Sequence, residues 1–452
     1  MNSKSFALAV AGIGALALSS LIVAQSGRTA VTWFVGIGTG GQPDQIAAEK
    51  ALVERYNKSQ DKIQLNLEIV EYNSARDNLA ARIAAGNPPD LVGPAGASGA
   101  NWFRGQWVDL DGLIAKFKPD LKGIDPALLK FYKESQNGEG LPYAVYPSFI
   151  YYNKDLFKEA KLPDLPTKVG ERYRGRVWDW NTLADLAQEL TYDSKGNNAK
   201  SKDFDAKNIV TYGFVNQWTT DYVTSIAAQF EPSVLYQNGK VNLSQGLRDG
   251  IRWYYDGIWR QRFIPNQDAL NSDLLGKGNA FNTGNVAMAF THLWYTCCLD
   301  GGKDAKVKNW GVAVVPSWKG KTTAKLHADT FRIMKGSKNQ DAAFQAMMWL
   351  MQQKELLVTY GAFPANESLQ DDYIANVNKK YEGNAKINWD VIRTMLKYTD
   401  TPSHEAYMPN FTKVSDIQTK FLTKLMTTPG LNLTKEFSDF GIELQRAFDE
   451  KK

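Results

Sequence analysis

The sequence predicts an α/β protein of two domains, each a mainly parallel sheet flanked by helices. Three observations carry this. At 452 residues the chain exceeds what one hydrophobic core ordinarily serves. Short apolar runs alternate with segments of helical periodicity, as in strands joined by right-handed helical crossovers. The same alternation starts twice, at residue 31 and again past residue 148.

The first unit opens with "VTWFV" (31–35), a short apolar strand, then the turn "GIGTGGQP" and the helix "DQIAAEKALVERYNK". "KIQLNLEIV" (62–70) alternates like a strand, and "ARDNLAARIAA" is a second helix. Gly86 suits the left-handed position after that helix, and Pro88 and Pro89 stop it before the buried strand "DLV". Past residue 148, "SFIYY" reads as a strand and "KDLFKEA" as a helix. "WNTLADLAQELT" is an amphipathic helix, "NIVTYGF" a strand and "LRDGIRWYYDGIWRQRF" a longer helix. "VAMAFT", "WGVAVV" and "HADTFRI" (327–333) are further strands, with a helix over "NQDAAFQAMMWLMQQ" and a mostly helical tail. Residues 167–179 and 192–208 are polar and turn-rich, and read as surface loops.

Composition is that of an ordinary globular protein, 43% hydrophobic and 22% charged. The net charge of +5 is spread along the chain without a basic run, which argues against a nucleic-acid partner. Lys4 precedes the charge-free stretch 6–24, and Ala24-Gln25-Ser26 offers small residues at alternate positions. Residues 1–26 therefore read as a signal peptide cleaved near Ser26, giving an exported protein, periplasmic or extracellular. No cysteine follows directly, which argues against a lipid anchor. The two cysteines, Cys297 and Cys298, are adjacent, so a disulfide framework is excluded. They are either two free thiols or a strained vicinal disulfide.

Gly36-Ile37-Gly38-Thr39-Gly40-Gly41 is a literal G-x-G-x-x-G between a strand and a helix, the context of a dinucleotide site. The acidic residue such a site needs about 20 residues on is missing, since Glu71 comes too late. A glycine turn lining a ligand cleft is the reading preferred, with Thr39 as a donor, and no cofactor is expected. His292, His327 and His404 stand far apart with no metal-ligand spacing, so no metal is expected. No nucleophile elbow or distinct carboxylate pair appears, so the chain reads as not an enzyme. An exported carbohydrate-active enzyme is the alternative of another class.

Aromatic residues make up 12% of the chain, and several fall at strand ends. Trp33 ends the first strand, Tyr72 follows the second, Trp218 follows "TYGF" and Trp294 follows "VAMAF". Ligands of open parallel sheets sit beyond the carboxyl ends of strands, and a flat ring there suits stacking on a sugar face. Core or rim packing accounts equally well for about half of them.

Taken in order, "AARIAAGNPPDLV", "LPYAVYPSFIYYNKDLFKEA", "AFNTGNVAM", "NWGVAVVPSWKG", "MKGSKNQDAAFQAMMWL" and "YGAFPANESL" span the chain beyond residue 26. With these landmarks it resembles the family 1 extracellular solute-binding proteins of ABC importers, the group that includes maltose-binding protein. The resemblance implies a two-lobe periplasmic-binding-protein fold with the ligand cleft between the lobes. Lobe one would take 28–147 and 325–364, and lobe two 148–324 and 365–452. It implies a monomer that closes on a carbohydrate, an oligosaccharide or related polyol, and delivers it to ABC permease subunits. A phosphorylated polyol or a polyamine is the alternative within the family. Carried over position by position, the ligand wall falls on Gly38, Thr39, Pro94, Ser98, Tyr146, Trp218, Trp294, Asp329 and Tyr407. The family often places an aromatic and a charged residue after "PPD", where this chain has "GPAGASGA".

Overall fold

The computed structural model describes residues 27–450 except 125, 127, 130–137, 220 and 221. The expected signal segment and its cleavage site lie outside the described residues. Among the described residues no helix is long and apolar enough to cross a membrane.

One ten-stranded sheet runs through the molecule. Its strands are β1 (Thr29–Val35), β2 (Ile63–Ile69), β3 (Leu91–Ala95), β4 (Leu141–Asn153), β5 (Tyr192–Asp193), β6 (Ile209–Asn216), β7 (Val286–His292), β8 (Trp310–Ala313), β9 (Leu326–Ile333) and β10 (Phe363–Pro364). Strand order is β2-β1-β3-β9-β4-β7-β6-β5, with β8 and β10 also paired to β4. The pairs β1–β2, β1–β3 and β6–β7 are parallel, joined by crossovers that include the helices Pro43–Ser59, Tyr72–Ala84 and Gln245–Trp259. Strands β9 and β4 pair antiparallel where the chain passes between the two halves.

β4 makes the connection. All thirteen of its residues are buried. Its first part pairs with β9 and β10, and its second part with β7 and β8. The handover falls at Pro147, opposite Leu326, and Ser148, opposite His292. The sequence reading begins this strand at Ser148, because two prolines precede it. Both are tolerated for a local reason: Pro142 meets β9 at a register shift and Pro147 sits where partners change. Neither position demands an N–H from the ladder.

The 192–208 segment is more ordered than a surface loop. The buried Asp193 carboxylate accepts from the N–H groups of Lys195 (2.8 Å), Asn197 (2.9 Å) and Asp205 (2.8 Å). Residues 167–179 carry a small hairpin, Arg172–Tyr173 with Arg176–Val177. The tail is helical over Phe411–Thr427 and Leu433–Asp449, as expected.

Candidate ligand site at the strand crossing

The handover on β4 brings three chain ends to one place. β7 ends at His292, β9 opens at Leu326-His327, and the segment 399–405 docks on the start of β9. Asp400 fixes that docking. Its carboxylate accepts from Leu326 N (2.8 Å), His404 N (2.7 Å) and His404 Nδ1 (2.7 Å). Burial pushes the Asp400 carboxyl up, but the His404 ring and the two N–H groups outweigh it and hold it below the ordinary range.

The three histidines the sequence left apart are therefore neighbours. His327 and His292 ring centroids are 4.5 Å apart, as are those of His327 and His404. Nε2 of His327 lies 2.9 Å from Nε2 of His404, and His327 Nδ1 lies 3.2 Å from Glu405 Oε2. Burial works to raise the Glu405 carboxyl, but its pairing with His327 prevails and brings it down to about 2. His292 is fully buried, and burial holds its ring well below the ordinary pKa, hence neutral. Its Nδ1 donates to Tyr146 O (2.8 Å) and its Nε2 accepts from Thr219 Oγ1 (3.2 Å). Lys325 in turn donates to Thr219 O (2.8 Å) and Thr219 Oγ1.

Trp294 stands against this cluster, half-buried, in the short helix Leu293–Cys297 that follows β7. Its ring lies 4.2 Å from that of His292, 4.7 Å from His327 and 5.4 Å from Tyr146. The Tyr146 hydroxyl donates to Asp329 Oδ2 at 3.2 Å. Burial raises the Asp329 carboxyl to about 7, a rise that the tyrosine hydroxyl partly opposes. An aromatic platform thus adjoins a hydroxyl–carboxyl pair that donates or accepts according to pH.

Of the expected wall, the structure brings Tyr146, Trp294 and Asp329 together. Gly38 packs on the backbone of Pro94: a Cβ there would lie 2.3 Å from the Pro94 carbonyl oxygen. Ser98 donates to the Tyr222 hydroxyl (2.9 Å), linking the first half of the sheet to the second. Thr39 is half-buried in its turn. Tyr407 lies beside the helix Ala97–Trp102, under the Arg104 guanidinium at 3.9 Å. In the "GPAGASGA" stretch, Gly99 abuts the Ile37 carbonyl, where a Cβ would lie 2.4 Å from its oxygen, and Gly96 faces the Asp329 carboxyl at ordinary contact distance.

Three of the expected residues are placed apart from this cluster. Trp33 is wholly buried in the core, its Nε1 donating to Gly93 O (2.7 Å), because its strand is covered on both faces. Tyr72 opens a surface helix and is 53% exposed. Trp218 sits one residue from Thr219, and its ring packs against Tyr295 at 5.4 Å. Two acids that the sequence did not single out, Asp400 and Glu405, adjoin the histidines. The signal that points to the missed residues is positional: His292 and His327 are strand-end residues of "VAMAFTH" and "HADTFRI".

The cysteines form the vicinal disulfide, Cα–Cα 3.8 Å, at the end of the helix bearing Trp294.

Residues 40–355 match the family described as bacterial extracellular solute-binding protein. This chain belongs to that family. The solute-binding protein is 24% identical over 433 residues to a maltooligosaccharide ABC transporter solute-binding lipoprotein of Streptococcus pneumoniae, covering 88% of this chain and 93% of that one. A solute-binding protein of Agrobacterium radiobacter, solved with ribitol, superposes with a TM-score of 0.70 at 19% identity, covering 93% of this chain and 99% of that one. A substrate-binding protein of Listeria monocytogenes, solved with cycloalternan, gives a TM-score of 0.69 at 19% identity over 92% and 99%. At these identities the likeness concerns the fold, the two-lobe α/β architecture.

Proposed function

We propose that this solute-binding protein captures a carbohydrate, an oligosaccharide or related polyol, between its lobes and delivers it to an ABC importer. It does so as an exported monomer, cleaved near Ser26, that leaves its solute unchanged. Lobe one takes 28–147 with 325–364, and lobe two takes 148–324 with 365–452. The observation that carries the reading is the Trp294 platform beside the Tyr146–Asp329 pair, at the handover between the two halves. An aromatic face covers the C–H side of a sugar, and the polar pair orients its hydroxyls. The ligands named for the relatives, maltooligosaccharide, ribitol and cycloalternan, are of this class.

A thermal-shift screen over sugars, polyols, phosphorylated polyols and polyamines tests this. A true ligand at 100 times its Kd stabilises by about 2.7 kcal/mol. Polyamines belong in the screen because three carboxyls, Asp329, Asp400 and Glu405, gather near Trp294. Trp294→Ala is expected to lose at least about tenfold in affinity for the best sugar, about 1.4 kcal/mol, with the unliganded Tm shifted by only a few degrees. Unchanged affinity would reduce Trp294 to packing, and product release from any sugar polymer would favour an enzyme instead.

A further inference from the structure

The His327–His404 pair is not explained by sugar binding. Each ring has its Nδ1 on a carboxylate, His404 on Asp400 at 2.7 Å and His327 on Glu405 at 3.2 Å. An ionised carboxylate only accepts, so each Nδ1 carries a proton and each ring turns its Nε2 away from its carboxylate. The two Nε2 atoms face each other at 2.9 Å. Two imidazole nitrogens that close need one positive charge between them, a proton or a metal cation. The surroundings favour a cation, because Asp400 and Glu405 each place a carboxylate on one of the two rings.

We propose that His327 and His404 bind one first-row divalent transition cation through their Nε2 atoms, with Asp400 and Glu405 orienting the rings from behind. The pattern is that of metal-bound imidazole, whose second nitrogen donates to a carboxylate that fixes the tautomer. Imidazole nitrogens suit Zn2+, Ni2+ or Cu2+ rather than Mg2+ or Ca2+. With Zn–N bonds of about 2.0–2.1 Å, a tetrahedral ion asks the two nitrogens to spread only to roughly 3.3 Å. Potential ligand atoms of His327, His404 and Glu405 all lie within 4.8 Å of one another, with Glu405 held on the Nδ1 side of His327. The remaining positions fall to solvent. His404 is buried and His327 only partly so, so the ion enters from the His327 side.

The test uses the mature chain without a histidine tag, stripped with chelator and titrated with ZnCl2 by calorimetry. No sugar is added, so the outcome is independent of the transport reading. One equivalent of Zn2+ is expected per chain. His327→Gln and His404→Gln are each expected to weaken it at least about 100-fold, and Asp400→Asn, which keeps both ligands, about 10- to 100-fold. If the histidine variants fail to fold, X-ray absorption of the Zn2+-loaded wild type still decides, with two imidazole nitrogens expected. A wild type without saturable Zn2+ uptake leaves a shared proton between the rings and overturns the site. So does uptake unchanged in the double histidine variant, or a zinc environment without imidazole.

Discussion

Glu49 shows how one residue sets a pH dependence away from the ligand site. It stands on the helix Pro43–Ser59, wholly buried, with Oε1 accepting from the Tyr360 hydroxyl at 2.5 Å. Its second oxygen accepts no hydrogen bond among the described residues. Burial raises its pKa to about 8, against a smaller lowering by Tyr360. The folded chain therefore keeps a proton that the unfolded chain releases in the ordinary carboxylate range. The resulting stability is present at low pH and is lost, by about 1.4 kcal/mol per pH unit, as pH rises toward 8. Glu49→Gln has nothing to ionise and keeps an acceptor for Tyr360. In urea unfolding it is expected to match the wild type near pH 4 and to exceed its stability above pH 8. Parallel pH profiles for the two proteins would show that Glu49 ionises freely in the fold. The tryptophans make the same point about residues: Trp33 and Trp294 both belong to strand patterns, and only position in the sheet separates a wholly buried ring from a half-buried one.

At the scale of elements, local pattern was enough for most strands and helices. The apolar runs of β1, β3, β6 and β7 and the helical periods between them are all where the sequence puts them. The first half of β4 was not legible, because its prolines forbid an ordinary central strand and only tertiary pairing shows why they are harmless. Packing between elements was also invisible. Gly213 on β6 runs so close to the helix Trp180–Glu189 that a Cβ would lie 1.9 Å from the Ala187 carbonyl oxygen. Backbone opposes backbone there, so no side chain can yield. Gly213→Ala is expected to cost about 1–3 kcal/mol in chemical unfolding. Gly112→Ala is the control: it lies in the helix Asp111–Phe117 with open space around it, and is expected to gain about 0.5–1 kcal/mol. Equal effects from the two substitutions would remove the close approach as a determinant of the fold.

Over the whole molecule, the site was legible in kind but not in membership. Ordered landmarks carry the two-lobe architecture, yet His292, His327 and His404 come from separate segments that only the handover on β4 brings together. Other groups far apart in sequence also meet across the handover. Ser98 donates to Tyr222 at 2.9 Å, Asn101 Nδ2 donates to Glu405 O at 2.9 Å, and Arg76 lies 3.6 Å from Asp416. The last pair is solvent-exposed and contributes little. The first two link the loop and helix after β3 to residues beyond the handover. If solute binding draws the lobes together, contacts of this kind strengthen with closure and add to affinity. Ser98→Ala and Tyr222→Phe are each expected to weaken the best sugar by about 0.5–1.5 kcal/mol, roughly two- to tenfold, while leaving the unliganded Tm in place. Because both remove the Ser98–Tyr222 bond, their losses are expected to be less than additive in the double variant. Small-angle scattering supplies the shape: the wild type is expected to contract on adding the sugar, and the variants to need more sugar for the same contraction. Additive losses, or full affinity in both single variants, would mean that this contact does not report closure.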